Sequence, residues 1–271
     1  MLRDLRSILD GWDYEPGKIS VRKIIGRDGR EKIQTRIDLG VLQLENDGRP
    51  DGKRPHGCES LLEFQESRLS KHLSSGGSDE DFVLSPEECR DLRHEAYLYY
   101  QRYLSQFVLE EFEAVDRDTE RNLRVIDFCE RYGATPFDRQ ALTPQRAYVL
   151  MMNCRARVYE ALQQNAFDSA LRRVEEGIAE IREIPLEQEP AGVLDADTDT
   201  DDGREPADHE TELKVLLQLR RDVLQRMPAD AMPRLQWELQ AALDREDYEK
   251  AAQLRDQLAT RSSGGRKSMA G

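Results

Sequence analysis

His56 and Cys58 stand two residues apart in the loop GRPDGKRPHGCES (Gly48 to Ser60), beside Arg49, Lys53 and Arg54. An imidazole near a thiol is the raw material of a nucleophile or of a metal site, but no second His or Cys lies close in sequence. The cations on a backbone rich in Gly and Pro suit another task. Arg49, Lys53, Arg54 and His56 form a candidate anion-binding loop, presenting amides and positive charge to a phosphate or a carboxylate. The plainer reading is a rigid surface loop between a β-hairpin and the following helix. Gly17-Lys18 is not a phosphate loop, because Trp12 and Ile19 occupy places that need Gly and a hydroxyl residue. Asp116, Asp118 and Glu120 alternate with Arg117, Thr119 and Arg121, and read as a solvated face of mixed charge rather than a ligand set. Tyr100, Tyr103 and Phe107 keep helical spacing and read as a buried stripe, although with Tyr97 and Tyr99 they could offer a stacking platform for bases. No Ser-His-Asp set, H-E-x-x-H or G-x-G-x-x-G is found among residues that include only four His. No catalytic residue, metal site or cofactor is expected.

Bulk properties narrow the classes further. The 271 residues carry a net charge of -14, and 35% are charged; the mean hydropathy is -0.76. The acidity is concentrated: eleven acids and one base between Leu186 and Glu212 leave a net of -4 for all other residues. Such a block reads as a solvated, disordered linker. Direct binding to nucleic acid needs a basic footprint and is not expected. No stretch is apolar enough to cross a membrane, and the N-terminal MLRDLRSILDGWDY lacks a signal peptide's apolar run, which predicts a cytoplasmic protein. Cys58, Cys89, Cys129 and Cys154 show no close pairing and read as reduced structural thiols.

The elements that position these residues are mainly helical. KISVRKIIG and KIQTRIDLGVLQLE flank Asp28-Gly29 and predict an N-terminal β-hairpin whose second strand extends towards Leu44. A helix at Leu61 to Leu73 completes a module over 1–73, and Ser74 to Asp81 reads as a flexible connector. Ser85, Pro86 and Glu88 form a capping box. From there to Gly133 no Gly or Pro interrupts, so the segment is one long helix or two. Further helices run to Pro185, giving a helical body over 85–185. Beyond the 186–212 linker come a helix with a terminal hairpin (213–261) and a flexible tail (262–271).

Three stretches share a pattern: LEEFEAV (Leu109 to Val115), QNAFDSA (Gln164 to Ala170) and REDYEKA (Arg245 to Ala251). Each has an aromatic followed by an acid, with a small or β-branched residue one turn later. That is what a helical hairpin needs at its corner. The first two align further, Leu123 with Ile178 and Ile126 with Ile181, 55 residues apart. The body resembles degenerate tetratricopeptide-like repeats without their usual period.

In the last hairpin, Leu235, Leu239 and Leu243 recur every four residues. Tyr248, Ala251, Leu254 and Leu258 line the second helix, and Asp247 is placed to cap it. Two such short helices bury little surface alone. LQWELQAALDREDYEKAAQLRDQL resembles the UVR motif, the UvrB/UvrC interaction motif of bacteria, through Glu246, Asp247, Tyr248, Glu249, Ala251, Ala252, Leu254, Arg255 and Asp256. The resemblance covers roughly a tenth of the chain. It implies a helical hairpin that pairs with another such hairpin, in the same protein or a partner, as in excision-repair subunits and regulators of protein quality control. The helicase, nuclease and zinc-binding parts of those relatives are missing. The expected contact surface is Leu239, Leu243, Tyr248, Ala251, Leu254 and Leu258, with Arg255 as charge partner; the bland alternative is that these residues pack only on Leu213 to Met227. The function expected is a non-enzymatic adaptor, with an accessory factor of nucleotide excision repair, recruited to DNA through a partner, as the alternative.

Overall fold

The computed structural model describes residues 5–185 and 209–267. The acidic stretch from 186 to 208 and residues 268–271 lie outside the described residues. After a short helix α1 (Arg6–Leu9) come three strands, β1 (Ser20–Ile25), β2 (Glu31–Ile37) and β3 (Gly40–Glu45). Helices α2 (Leu61–Ser74), α3 (Pro86–Val108), α4 (Phe112–Tyr132), α5 (Pro136–Gln140), α6 (Arg146–Gln163) and α7 (Phe167–Glu183) follow, then α8 (Glu210–Arg226), α9 (Met232–Asp244) and α10 (Tyr248–Lys267).

The strands form an antiparallel sheet in the order β1-β2-β3, so the expected hairpin gains a third strand. Its first turn is at Asp28-Gly29, with Gly29 at φ 75. The second is at Asp38-Leu39, where a single strand was expected because the alternation of apolar residues runs on through Leu39. Arg36 closes this turn, its Nη1 donating to the carbonyls of Asp38 (2.8 Å) and Gly40 (2.9 Å). Leu39 is left 89% exposed at the tip. Ile33 and Leu44, paired across β2 and β3, are buried. Their neighbour Thr35 meets Ser105 of α3 at 2.7 Å.

The stretch from Pro86 to Gly133 is two helices. The capping box is present at Ser85, whose side chain accepts from the Glu88 amide while Glu88 accepts from the Ser85 amide. The chain reverses at Glu110 without a glycine. The connector before α3 is fastened rather than free: Asp79 accepts from the Tyr132 hydroxyl at 2.7 Å and pairs with Arg131.

Among the described residues, the body has two apolar cores. One joins α2, the first half of α3 and the second half of α4, around Leu62, Leu92, Val125 and Tyr132. The larger joins the other half of the α3-α4 pair to α6, α7 and α8. Leu216, Leu219, Val223 and Leu224 of α8 are buried there, because their stripe fits the exposed edge of α6 and α7. The helix expected to travel with the terminal hairpin therefore packs with the body. It starts at Glu210, and α10 runs on to Lys267, into the segment expected to be tail.

Between the cores and the sheet lies a buried network of charge. Glu95, fully buried, accepts from the amides of Leu61 (2.7 Å) and Leu62 (3.3 Å), the first residues of α2. It also pairs with Arg121 and, at 3.0 Å, with Arg49. Arg102 grips both oxygens of Asp118 (2.6 and 2.9 Å) and donates to the carbonyl of Gly48 (2.6 Å). The ring of Tyr99 has the Arg121 guanidinium over it at 3.8 Å and that of Arg102 at 4.8 Å. Burial pulls the Arg121 pKa down from its ordinary value, opposed by the charge of Glu95. Asp118, Thr119 and Arg121 are thus interior, and the solvated face expected of them is corrected. A face that alternates charge on a helix looks the same in sequence whether water or a second charged helix stands opposite it.

Candidate functional site

The three stretches with a shared pattern fold into three copies of one turn. Glu110, Asn165 and Glu246 adopt left-handed φ of 60, 56 and 58. Each donates its amide three residues back, to Phe107, Leu162 and Leu243 (3.1, 3.0 and 3.0 Å). The next residue in each case donates five back, from Glu111 to Gln106, Ala166 to Ala161 and Asp247 to Ala242 (3.0, 2.8 and 2.9 Å). These bonds satisfy the free carbonyls at the end of the first helix. The aromatic then opens the second helix, and Val115, Ala170 and Ala251 are buried one turn on. Asp247 caps α10 as expected, its Oδ1 accepting from the Lys250 amide at 3.1 Å. A side chain in this left-handed turn is strained. Glu246→Gly is therefore expected to stabilise the chain by about 1 kcal/mol, read as a higher midpoint of thermal unfolding.

The copies differ at the aromatic. Phe112 is 8% exposed and stacks on Tyr159, with ring centroids 5.3 Å apart. Phe167 is half-buried against the larger core. Tyr248, at the corner of α9 and α10, is 68% exposed. Leu243, across the turn from it, is also exposed.

The structure divides the seven expected contact residues. Ala251 and Leu254 are buried in the hairpin's own seam with Leu235 and Ala242, while Leu239 and Leu258 pack half-buried against that seam. Leu243, Tyr248 and Arg255 face outward; Arg255 has its neighbour Asp256 at 4.0 Å, a pairing worth little at the surface. The alternative of simple packing on α8 is not how the hairpin is built, since its seam forms a cluster separate from the body's cores.

Trp237 and Arg234 attach the hairpin to the body. The indole packs on the larger core from the side of α9 away from the leucine stripe. Arg234 Nη1 donates to the carbonyls of Gln225 (3.0 Å) and Met227 (2.7 Å) at the end of α8, a favourable place for a cation. Neither residue was singled out from the sequence. The signal was there: a tryptophan off the apolar stripe implies that α9 has two covered faces.

The Gly48 to Ser60 loop does not gather its cations. The Arg49 side chain is turned inward onto Glu95, and Asp51 is also in range at 3.5 Å. Lys53 and Arg54 are exposed. His56 stacks on Phe64 with centroids 4.0 Å apart. A depression of about 720 Å³ lies over the buried network, lined by Arg102, Arg117, Arg121 and Arg124 together with Asp118, which pairs with Arg102 and Arg117, and Glu66, which pairs with Arg124. Among the described residues no group of His, Cys, Asp and Glu could hold a metal ion.

In a comparison with known proteins, residues 232–260, the hairpin, match the model of the UvrB/uvrC motif family. This motif occurs in nucleotide excision repair proteins and mediates association between proteins. No curated protein matches the chain, and no solved structure does. Among the described residues no helix is long and apolar enough to cross a membrane.

Proposed function

We propose that the chain is a non-enzymatic adaptor of the cytoplasm, which associates through the α9-α10 hairpin with another such hairpin, on a second copy or on a partner protein. The observation that carries this is the uncovered corner at Tyr248. Phe112 and Phe167 occupy the same place in the same turn and are covered by neighbouring helices, whereas Tyr248 and Leu243 have no such cover among the described residues. An exposed aromatic beside an exposed leucine, rimmed by Asp244, Glu246, Asp247 and Glu249, is the composition of an interface centre with a polar edge. The firm attachment of α9 through Trp237 and Arg234 lets the body carry whatever the hairpin recruits, with little orientation lost.

Since the matched motif occurs in excision-repair proteins, a role beside DNA is the second reading. With a net charge of -14, the chain would reach DNA through its partner. Sedimentation equilibrium of the full chain separates copy from partner. A concentration-dependent dimer that Tyr248→Asp returns to monomer supports pairing between copies. A monomer at every concentration removes the second copy as the occupant and leaves a partner's hairpin.

A further inference from the structure

Cys89 and Cys129, scattered in sequence, stand opposite each other in the fold. Asn122 of α4 donates its side-chain amide to the Ala96 carbonyl of α3 at 2.9 Å, which fixes the register of the two antiparallel helices. Seven residues back along α3 and seven onward along α4 are two turns each, a step that returns to the same face. That step leads from Ala96 and Asn122 to Cys89 and Cys129. Arg102 with Asp118 and Glu95 with Arg121 keep the same register. Both cysteines belong to one core, 0% and 1% exposed, and their side chains interact with each other. The other two are apart: Cys58 is in the Gly48 to Ser60 loop, and Cys154 meets the carbonyl of Arg173 at 3.5 Å. All four are free thiols.

We propose that Cys89 and Cys129 are a dithiol-disulfide pair, closed by a peroxide and opened by a thiol reductant, which pins the first half of α3 to the second half of α4. The chemistry is symmetric in the pair and begins at either sulfur, Cys89 for example. Its thiolate attacks one peroxide oxygen, forming S–O and breaking O–O. With hydrogen peroxide as the oxidant, the departing hydroxide takes up one proton and leaves as water. The sulfur of Cys129 then attacks the resulting sulfenic acid: S–S forms, S–O breaks, the Cys129 proton is lost and a second water leaves. Both sulfurs are oxidised and the peroxide is reduced. Because both thiols are buried, the reaction proceeds through local opening of the helix pair. The bond would close the chain between residues 89 and 129 into a covalent loop, in a core separate from the hairpin's seam.

The test is treatment of the folded full chain with hydrogen peroxide, followed by intact mass, a thiol count under denaturing conditions and peptide mapping without reductant. The expected result is a loss of two hydrogens, a fall in free thiols from four to two, a linked peptide pair containing Cys89 and Cys129, and full reversal by dithiothreitol. The double variant Cys58→Ala/Cys154→Ala should lose the same two hydrogens, while Cys89→Ala should not. An unchanged thiol count, a gain of oxygen at either sulfur without a link, or a link through Cys58 or Cys154 overturns the proposal.

Discussion

Glu95→Ala is expected to lower the midpoint of thermal unfolding by roughly 10 °C, from a loss of about 3–5 kcal/mol. The carboxylate is the point where α2, the Gly48 to Ser60 loop, α3 and α4 meet. It accepts the first two amides of α2, where an anion is favoured by the helix dipole, and it balances Arg49 and Arg121. Removing it leaves two guanidinium groups in low dielectric and two helix amides without acceptors, costs much larger than that of the missing contacts themselves. Glu95→Gln keeps an acceptor for the amides but removes the charge, so it should fall between wild type and alanine. Chemical unfolding followed by circular dichroism gives both values. A loss below about 1 kcal/mol for alanine would mean that water reaches this site.

The second large effect is on association. Leu243→Asp/Tyr248→Asp is expected to weaken partner binding by about a hundredfold or more, since interface centres of this kind contribute about 2 kcal/mol each or above. Folding should hardly change, because both side chains already face solvent. Leu254→Asp would also abolish binding, but for another reason. Leu254 is 5% exposed within the seam, so an aspartate there opens the hairpin itself. The contrast between an exposed pair that spares stability and a buried residue that does not distinguishes a docking surface from internal packing.

Local rules of the chain were legible in the sequence, and contacts between distant segments were not. The capping box at Ser85, the turn at Asp28-Gly29 and the cap at Asp247 depend on residues within a few positions of one another. The three corner turns could be read because each packs its signature into a few residues, an aromatic, the acid after it and a small or β-branched residue one turn later. The turn at Asp38-Leu39 escaped because Arg36 makes it, through carbonyls that carry no sequence signal. The fate of Asp118 and Arg121 depended on Arg102 and Glu95, on another helix. Which members of the apolar stripe of α10 are seam and which are surface depended on the angle at which α9 meets it. Ala251 and Leu254 turn inward while Tyr248 does not, although all three keep helical spacing. Trp237 was the missed clue that α9 is covered on a second side.

The claim that matters most is that the Tyr248 corner is where another protein sits. Full-length wild type and Leu243→Asp/Tyr248→Asp, used side by side as baits in a bacterial lysate with bound proteins quantified by mass spectrometry, test it most directly. A protein bearing a UvrB/uvrC-type hairpin, or the chain itself, should be captured by the wild type. Its recovery should fall by about tenfold or more on the double variant, whose unfolding midpoint stays that of the parent. Equal recovery of the same proteins by two equally stable baits would contradict it, and would make the hairpin a purely internal element of the fold.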